Sequence, residues 1–253
     1  MVAGCDGGRI TSDAGALLLG AATRAIGLVR RLAGCFADGR ARELLEPTVE
    51  TMLRQRICGI ALGYADLVDH GELRHGPVLA TLVGKLAARR KDCALLAGKS
   101  TLNRLEHAPT SALERYHRIG HDPRAIEGLF VGLFLEAHQR PPKEIVLDLD
   151  ATDDPLPGHQ EGRFFHGCYD CHGYLPLYVF CGRHLPAAKL RRSDIDASAG
   201  AVAEVERIIG QIRASWPQVE ILLRAASGFA RDWSGAKTTA STTSSASPAT
   251  PAC

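Results

Sequence analysis

The segment KEIVLDLDAT, residues 143–152, constrains the fold most, because it places two acids inside an apolar and partly β-branched run. The prolines at 141 and 142 interrupt any preceding helix, so the segment predicts a short buried strand. Side chains alternate along a strand, and Asp148 and Asp150 therefore share one face. A carboxylate in such a run is costly unless it is hydrogen-bonded, ion-paired or bound to a metal ion. On this segment alone, a local cap or arginine partner explains the acids as well as a metal site does.

The composition of the chain is that of an ordinary globular protein, with 253 residues, 45% of them hydrophobic and 23% charged. This length allows one large domain or two small ones. The net charge is +2, so charge alone does not indicate a nucleic-acid partner. The eight cysteines are scattered and no secretory signal precedes them, which predicts a reducing, cytoplasmic environment. No apolar run is long enough to span a membrane, so we expect no membrane partner.

Residues 1–140 are predicted to form a helical N-terminal region, because their apolar residues recur at helical spacing. One long helix is predicted to start at Pro47, with the proline in its first turn. A second helix, bearing two leucines, is predicted to have Ser100 or Thr101 as its N-cap. This region is the first candidate for DNA binding.

After residue 142 the pattern changes from helical to strand-like, which predicts an α+β fold with a core at 141–232. Short connections favour antiparallel pairing of the first three strands, and a helix allows the fourth to return parallel beside the first. The segment 187–191 extends or follows the third strand, Ser198 caps the helix, and a low-complexity, disordered tail occupies 233–253. The predicted strands and helix, in chain order, lie at residues 143–152, 163–169, 177–181, 198–216 and 219–224.

The run DLDATDDPLPGHQEGRFFHGCYDCHGYLPLYVFCGRHLPAAKLRRSDIDASAGAV, followed by ILLRAASGFARD, resembles DDE transposases of bacterial insertion sequences. It is most similar to the group whose type element is IS-thirteen-eighty. The N-terminal segments SDAGALLL, LRQRICGIALGYADLVDH and STLNRLEH resemble the same family. The resemblance covers roughly residues 6–232, which makes it far more specific than one short motif.

This resemblance implies a ribonuclease-H-like catalytic core, in which three carboxylates hold two divalent metal ions, Mg²⁺ or Mn²⁺. Two such ions stabilise the attacking and the leaving oxygen of a phosphodiester together, and hard oxygen ligands suit Mg²⁺. The implied function is DNA transposition: DNA binding, followed by metal-dependent strand cleavage and transfer. The implied partner is DNA, at the terminal repeats of the element, and a homo-oligomer is a possible assembly.

Residue by residue, the resemblance assigns the first acid, catalytic and metal-binding, to Asp150. The second acid of the family typically lies directly before Ser-Gly-Phe, where this chain has Ala226. The third has no counterpart, since no Glu follows Glu220 and the only later Asp is Asp232. We therefore expect doubtful metal binding and impaired catalysis, and a C-terminal truncation or frameshift after Asp232 is the accompanying hypothesis. The alternative is a non-catalytic DNA-binding remnant that recognises element ends or competes with intact transposase.

Two basic clusters, at 85–91 and 99–104, form a possible phosphate-contacting surface in the helical region. Solvated helix faces explain these clusters at least as well. The candidate DNA contacts of the whole chain are Lys99, Arg104, Arg163, Arg191 and Arg192.

The segment HGCYDCH gives a third hypothesis, a zinc site. His166, Cys168, Cys171 and His172 include a CxxC spacing that suits tetrahedral Zn²⁺. In a regular strand, however, residues 168 and 171 would lie on opposite faces, so the hypothesis requires a turn between them.

Overall fold

The computed structural model describes residues 13–41, 47–84, 96–110, 117–167, 170–229 and 241–242. Contacts within the chain divide it into two compact units, Met1–Ile126 and Glu127–Cys253. The boundary falls inside a helix, whereas the change in composition that set the expected boundary comes fourteen residues later, after residue 140. In the part that the structure describes, no helix combines the length and the apolar character needed to cross a membrane.

The first unit is mainly helical, with one short antiparallel pair of strands. Its apolar residues form two clusters, one around Met52 and Leu102 and one around Leu79 and Leu82. The helices and strands of this unit are α1 (Ala16–Ala25), α2 (Leu28–Ala33), β1 (Phe36–Asp38), α3 (Val49–Ala61), α4 (His70–Leu73), α5 (Pro77–Leu82), α6 (Lys99–Glu106) and β2 (Ile119–His121), and α7 (Pro123–Glu136) crosses the boundary.

Two helix starts in the first unit differ from the sequence-based predictions. Thr48 is the N-cap of α3, because its hydroxyl accepts a hydrogen bond from the backbone N of Thr51 at 3.2 Å. Pro47 therefore precedes the helix and is not in its first turn. Likewise α6 begins directly after Gly98, which places Ser100 and Thr101 inside the first turn, not at the cap. The basic cluster at 85–91 lies outside the described residues.

The second unit combines a five-stranded sheet, a small three-stranded sheet and two helical segments. Besides the C-terminal part of α7, its elements are β3 (Glu144–Ala151), β4 (Asp154–Pro155), β5 (Phe164–His166), β6 (Cys171–Tyr174), β7 (Leu177–Cys181), β8 (His184–Lys189), α8 (Ala201–Ser215), β9 (Glu220–Ala225) and β10 (Ser241–Thr242). The mixed helix-and-sheet composition expected from the sequence is thus confirmed.

The five-stranded sheet has the strand order β10-β9-β3-β7-β8. β7 is antiparallel to both β3 and β8, whereas β9 lies parallel to β3 on its other side. β7 and β8 are joined by only two residues, and Gly182 takes the left-handed φ of 59° that such a tight hairpin favours. The helix α8 supplies the long connection that a parallel return from β8 to β9 requires.

The predicted strand at 163–169 is not part of this sheet. Its described residues form β5, which pairs with β6 in the small sheet of order β4-β6-β5. The third antiparallel strand of the large sheet is instead β8, which overlaps the segment 187–191 that was predicted to extend or follow the strand at 177–181. The reason is burial: β5 exposes Phe165, whereas β7 buries Leu177 and Val179 and β8 buries Pro186 and Ala187.

The core of the second unit lies between α8 and one face of the large sheet. Val205, Ile208 and Ile212 of α8 are fully buried and belong to one apolar cluster with Leu147 of β3. Trp216 ends the helix and is 7% exposed in the same cluster, as predicted for a core residue. The predicted cap is wrong: Gly200 is the N-cap, while Ser198 lies two residues earlier and bonds to Asp196. Of the tail at 233–253, only Ser241–Thr242 is described.

Candidate functional site

The carboxylate of Asp150 lies at the C-terminal end of β3, on the face of the sheet opposite α8. Leu147 and Leu149 point to the core face of the strand and are buried. On the opposite face Asp148 is half-buried and Asp150 is exposed. The parallel register pairs Asp148 with Arg224 and Leu149 with Ala225.

The register ends at the pair of Leu149 with Ala225, and the next residues along the two chains are Asp150 in β3 and Ala226 directly after β9. Ala226 is exposed and directly precedes the short 3-10 helix Ser227–Phe229. The residue that follows β9 therefore carries a methyl group, which has no metal-binding atom, at the sequence position aligned with Asp150.

Asp148, the other acid on this face, is paired with the guanidinium group of Arg224. Arg224 donates from Nη2 to Oδ2 of Asp148 at 2.8 Å and from Nε to Oδ1, so the contact is bidentate. These hydrogen bonds and the negative charge of Asp148 raise the pKa of Arg224. The arginine-partner explanation thus applies to Asp148. Asp150 accepts a hydrogen bond from the hydroxyl of Thr152 at 3.1 Å.

The donor set at this edge does not fit a two-metal site. Mg²⁺ is usually held by one or two carboxylates that still have free lone pairs, together with water. Here Asp150 is one such carboxylate, Asp148 is paired with Arg224, and Ala226 has no donor. Throughout the described residues, no group of three or more His, Cys, Asp or Glu side chains is placed to hold a metal ion.

An open groove of about 490 Å³ lies along the same strand, towards its N-terminal end. Its polar lining includes Asp148, Arg224 and His184, and the thiol of Cys181 also contributes. Burial raises the pKa of the Cys181 thiol, so the thiol stays protonated at neutral pH and is not an activated nucleophile. Burial, assisted by His138 and Arg183, lowers the pKa of His184. The groove therefore contains two arginines, Arg183 and Arg224, and two acids, Glu144 and Asp148, and its one thiol is not an activated nucleophile.

The candidate DNA contacts in the second unit already have partners. Arg191 donates to the backbone carbonyl oxygens of Leu175, Ala197 and Ala199 at 2.8–3.1 Å, and burial lowers its pKa. Its guanidinium thereby fixes the segment between β8 and α8.

Two further arginines of this unit make close side-chain contacts. Arg192 forms a bidentate pair with Asp194 at 2.6–3.0 Å, and its guanidinium carbon lies 3.6 Å from the ring centroid of Phe164. Arg163 lies 2.7 Å from Nδ1 of His159. These contacts reduce the donors that either arginine has left for a phosphate.

The two candidate contacts in the first unit are placed differently. Lys99 and Arg104 are both exposed on α6, while Leu102 and Leu105 bury the opposite side of that helix. Neither cation makes a hydrogen bond or an ion pair with any residue that the structure describes. Both are therefore available to an external anion.

The described members of the zinc hypothesis do not converge. His166 lies opposite Cys171 across the β5–β6 pair, but His172 follows Cys171 in β6 and so projects to the other face. Asp170, with φ of 49°, supplies the turn that the hypothesis required. Cys168 lies outside the described residues, and the described members form no metal-binding group.

The sequence analysis missed Arg224 as the partner of Asp148, although the sequence contains a usable signal. The two parallel strands read EIVLDL in β3 and EILLRA in β9. Their first four residues are identical except that Val146 stands against Leu222. Aligning these letters gives the observed register and sets Asp148 against Arg224. Extending the alignment by one residue sets Asp150 against Ala226.

Comparison with known families gives one match that spans both units. The family model described as transposase DDE domain group 1 matches residues 1–237. Comparisons with curated proteins and with solved structures give no significant match. The family match covers well over half of the chain and includes α6, Asp150 and Ala226.

Proposed function

This chain belongs to the transposase DDE domain group 1 family, and on that premise we propose that it derives from an insertion-sequence transposase, binds DNA and lacks strand cleavage. The family normally uses divalent metal ions. We assign the chain to the IS-thirteen-eighty group, with DNA binding in residues 1–140, a partial ribonuclease-H-like core in 141–232 and a low-complexity tail in 233–253. The order of the large sheet, with antiparallel β3, β7 and β8 followed by α8 and a parallel β9, supports this assignment of the core.

The observation that carries the loss of cleavage is that Ala226 directly follows β9, one residue beyond the last register pair, Leu149 with Ala225, where β3 continues with Asp150. Cleavage of a phosphodiester by this chemistry depends on carboxylates that hold the metal ions against both reacting oxygens. Replacing one such carboxylate by a methyl group removes a ligand without a substitute, and Asp148, the other acid on this face of β3, is paired with Arg224. We expect a loss of several orders of magnitude in cleavage rate.

A metal-binding experiment on the full chain tests the role of Ala226. Ala226→Asp places a second carboxylate beside Asp150, so we expect it to bind one Mn²⁺ ion, measured by electron paramagnetic resonance of the free ion. Ala226→Asn is the matched control, because it adds the same bulk without a charge. Binding by Ala226→Asn as strong as that by Ala226→Asp would show that the carboxylate is irrelevant.

A cleavage assay tests the proposal from the other side. Incubation of the unaltered chain with duplex DNA and Mg²⁺ or Mn²⁺ should give no more nicking than the Asp150→Asn variant does. Nicking by the unaltered chain that Asp150→Asn abolishes would overturn the loss of catalysis, while leaving the family assignment intact.

The second candidate function is a DNA-binding remnant that competes with an intact transposase for element ends. The availability of Lys99 and Arg104 on α6 favours it. Filter binding of duplex DNA should weaken steeply as salt increases, because each neutralised phosphate contributes about −0.9 to the slope of log affinity against log salt. Absence of binding at low salt would end this proposal.

A further inference from the structure

The exposed side of α6, together with the C-cap residue His107, carries five neutral or basic polar side chains. Lys99, Ser100, Asn103, Arg104 and His107 are all exposed, and their spacing places them on one side of the helix. We propose that these five residues, the α6 face, enter the major groove of duplex DNA and read base edges. This inference rests on the DNA binding proposed above and assigns it to one helix.

The chemistry of the α6 face matches the groove. Within the described part of the chain, none of the five side chains has a hydrogen-bond or ion-pair partner. Arginine and lysine donate to guanine, asparagine pairs with adenine through two hydrogen bonds, and serine bonds to several bases. Glu106 is also exposed and lies at the edge of this face, and its carboxylate forms an ion pair with Arg56. Unpaired donors of one charge sign complement an anionic duplex.

The start of α6 also lacks an anion. Its N-cap, Gly98, provides no side-chain hydrogen bond, and the first turn contains no acid. A cation, Lys99, opens the helix, and the guanidinium of Arg74 lies so close that a Cβ on Gly98 would be 2.7 Å from its Nη1. Cations at this end oppose the helix dipole, and a nearby DNA phosphate would offset that cost.

The α6 face is held on a rigid support. Ala97, two residues before the helix, exchanges two hydrogen bonds with the buried amide of Gln55, at 2.8 and 3.0 Å. Near the other end of the helix, Glu106 is tied to Arg56 of α3. Between these anchors Leu102 is fully buried. A helix fixed in this way presents its side chains at defined positions, as base reading requires.

The size of α6 is compatible with the groove. Eight residues at 1.5 Å each give a helix of about 12 Å, and the major groove is about 12 Å wide. The helix can therefore lie in the groove without a long flanking segment following it.

A selection experiment on the full chain tests the proposal. Duplexes that bind the unaltered chain are selected from a random pool, and the affinities of variants for the selected and a scrambled duplex are then compared. Asn103→Ala and Arg104→Ala should each weaken binding to the selected duplex about tenfold, abolish preference at one base pair, and leave the scrambled duplex unaffected. Lys99→Ala should weaken both duplexes and lower the salt slope by about one.

Arg140→Ala is the matched control, because it removes an exposed arginine from the second unit and should change neither sequence preference nor the selected-duplex affinity. All substituted side chains are exposed, and circular dichroism melting checks that each variant folds. Asn103→Asp, which keeps the size of the side chain and adds a negative charge, should abolish selected binding.

The outcomes separate two failures. If the unaltered chain binds no duplex at low salt, the proposed DNA binding itself is wrong. If it binds but Asn103→Ala and Arg104→Ala behave like the unaltered chain, the role of the α6 face is wrong and DNA binding stands. Equal weakening of both duplexes by these two variants, or a preference for RNA of equal length, would also overturn base reading by this helix.

Discussion

At the scale of single residues, Glu204 is the one buried acid in the described part of the second unit. Its side chain is 1% exposed and contacts Lys189 at 2.6 Å and Arg207 at 2.5 Å. Burial by itself would raise the pKa of Glu204, but the hydrogen bonds from Arg207 and Lys189 outweigh burial and lower it. The carboxylate therefore joins α8 to β8 through a partly buried ion cluster.

Glu204→Gln should lower the free energy of unfolding by about 2 kcal/mol, measured by urea denaturation, because it leaves Lys189 and Arg207 without their buried partner. Since the folded pKa is depressed, this contribution is complete above the ordinary value of 4.5 and disappears as pH falls through the folded pKa. Glu206→Gln, at an exposed position of the same helix, should change stability little. Equal losses in both variants would contradict the role of the cluster.

His70 is the corresponding residue of the first unit. It is fully buried, and its Nδ1 accepts a hydrogen bond from Nε2 of Gln55 at 3.0 Å. Burial, assisted by the charge of Arg56, lowers the pKa of His70 below the ordinary value of 6.5. The folded state therefore resists protonation at this site, whereas the unfolded state accepts the proton.

Because the folded pKa of His70 is lowered, its contribution is complete above pH 6.5 and is lost as pH falls below that value. We expect unfolding free energy to fall there with a slope approaching about 1.4 kcal/mol per pH unit, the limit for one proton. His70→Gln should reduce this slope in urea titrations at several pH values. His75→Gln, an exposed neighbour, should retain it, and a slope that survives in both variants would assign it elsewhere.

At the scale of elements, two glycines have opposite surroundings. A Cβ at Gly173 in β6 would lie 2.4 Å from the carbonyl oxygen of Asp154 in β4, whereas a Cβ at Gly210 in α8 would meet nothing within 4 Å. Gly173→Ala should therefore separate the strands of the small sheet, while Gly210→Ala should stabilise α8 by about 1 kcal/mol. Thermal melting measures both, and a higher melting temperature for Gly173→Ala would contradict the close strand approach.

The apolar pattern of the sequence predicts the buried elements well. β3, β7, α8 and β9 all lie within a residue or three of their predicted bounds, because each buries one side in a single apolar cluster. The small sheet was misassigned for the opposite reason. Its strands are two to four residues long and half-exposed, so neither apolar alternation nor length distinguishes them from turns.

Half of the candidate site followed from the sequence. The apolar strand singled out both Asp148 and Asp150, and the resemblance then chose Asp150 as the first acid and identified Ala226 as its missing partner. The pairing of Asp148 with Arg224 depends on the register between β3 and β9, which the sequence of either strand by itself does not give. The commitment of Arg191 to three carbonyl oxygens depends on tertiary packing, which has no local signal.

At the scale of the whole molecule, the two units have separate apolar cores. The clusters of the first unit contain residues up to Ile119, and the cluster of the second begins at Val131. His70 belongs to the first unit and Glu204 to the second, so acid should weaken the two at different pH values. His184, in the second unit, also has a lowered pKa, but it is only half-buried and contributes less.

We expect mild acid to destabilise the first unit before the second. In a Trp233→Phe background, where Trp216 is the one remaining tryptophan, its emission reports on the second unit. Between pH 6.5 and 4.5, the urea midpoint of the helical circular dichroism signal should fall before the midpoint of Trp216 emission does. Coincident midpoints at every pH would show that the chain unfolds as one cooperative unit.

The amide of Gln55 gives Ala97 the same pair of hydrogen bonds that a neighbouring strand would supply. Ala97 belongs to no strand, yet its amide proton can exchange with deuterium only when the hydrogen bond to the Gln55 side chain breaks. The exchange rate of this amide proton therefore reports how often α6 separates from α3. DNA bound by α6 should lower the exchange rate of the Ala97 amide, whereas Gln55→Ala should raise it to nearly the rate of an unprotected loop.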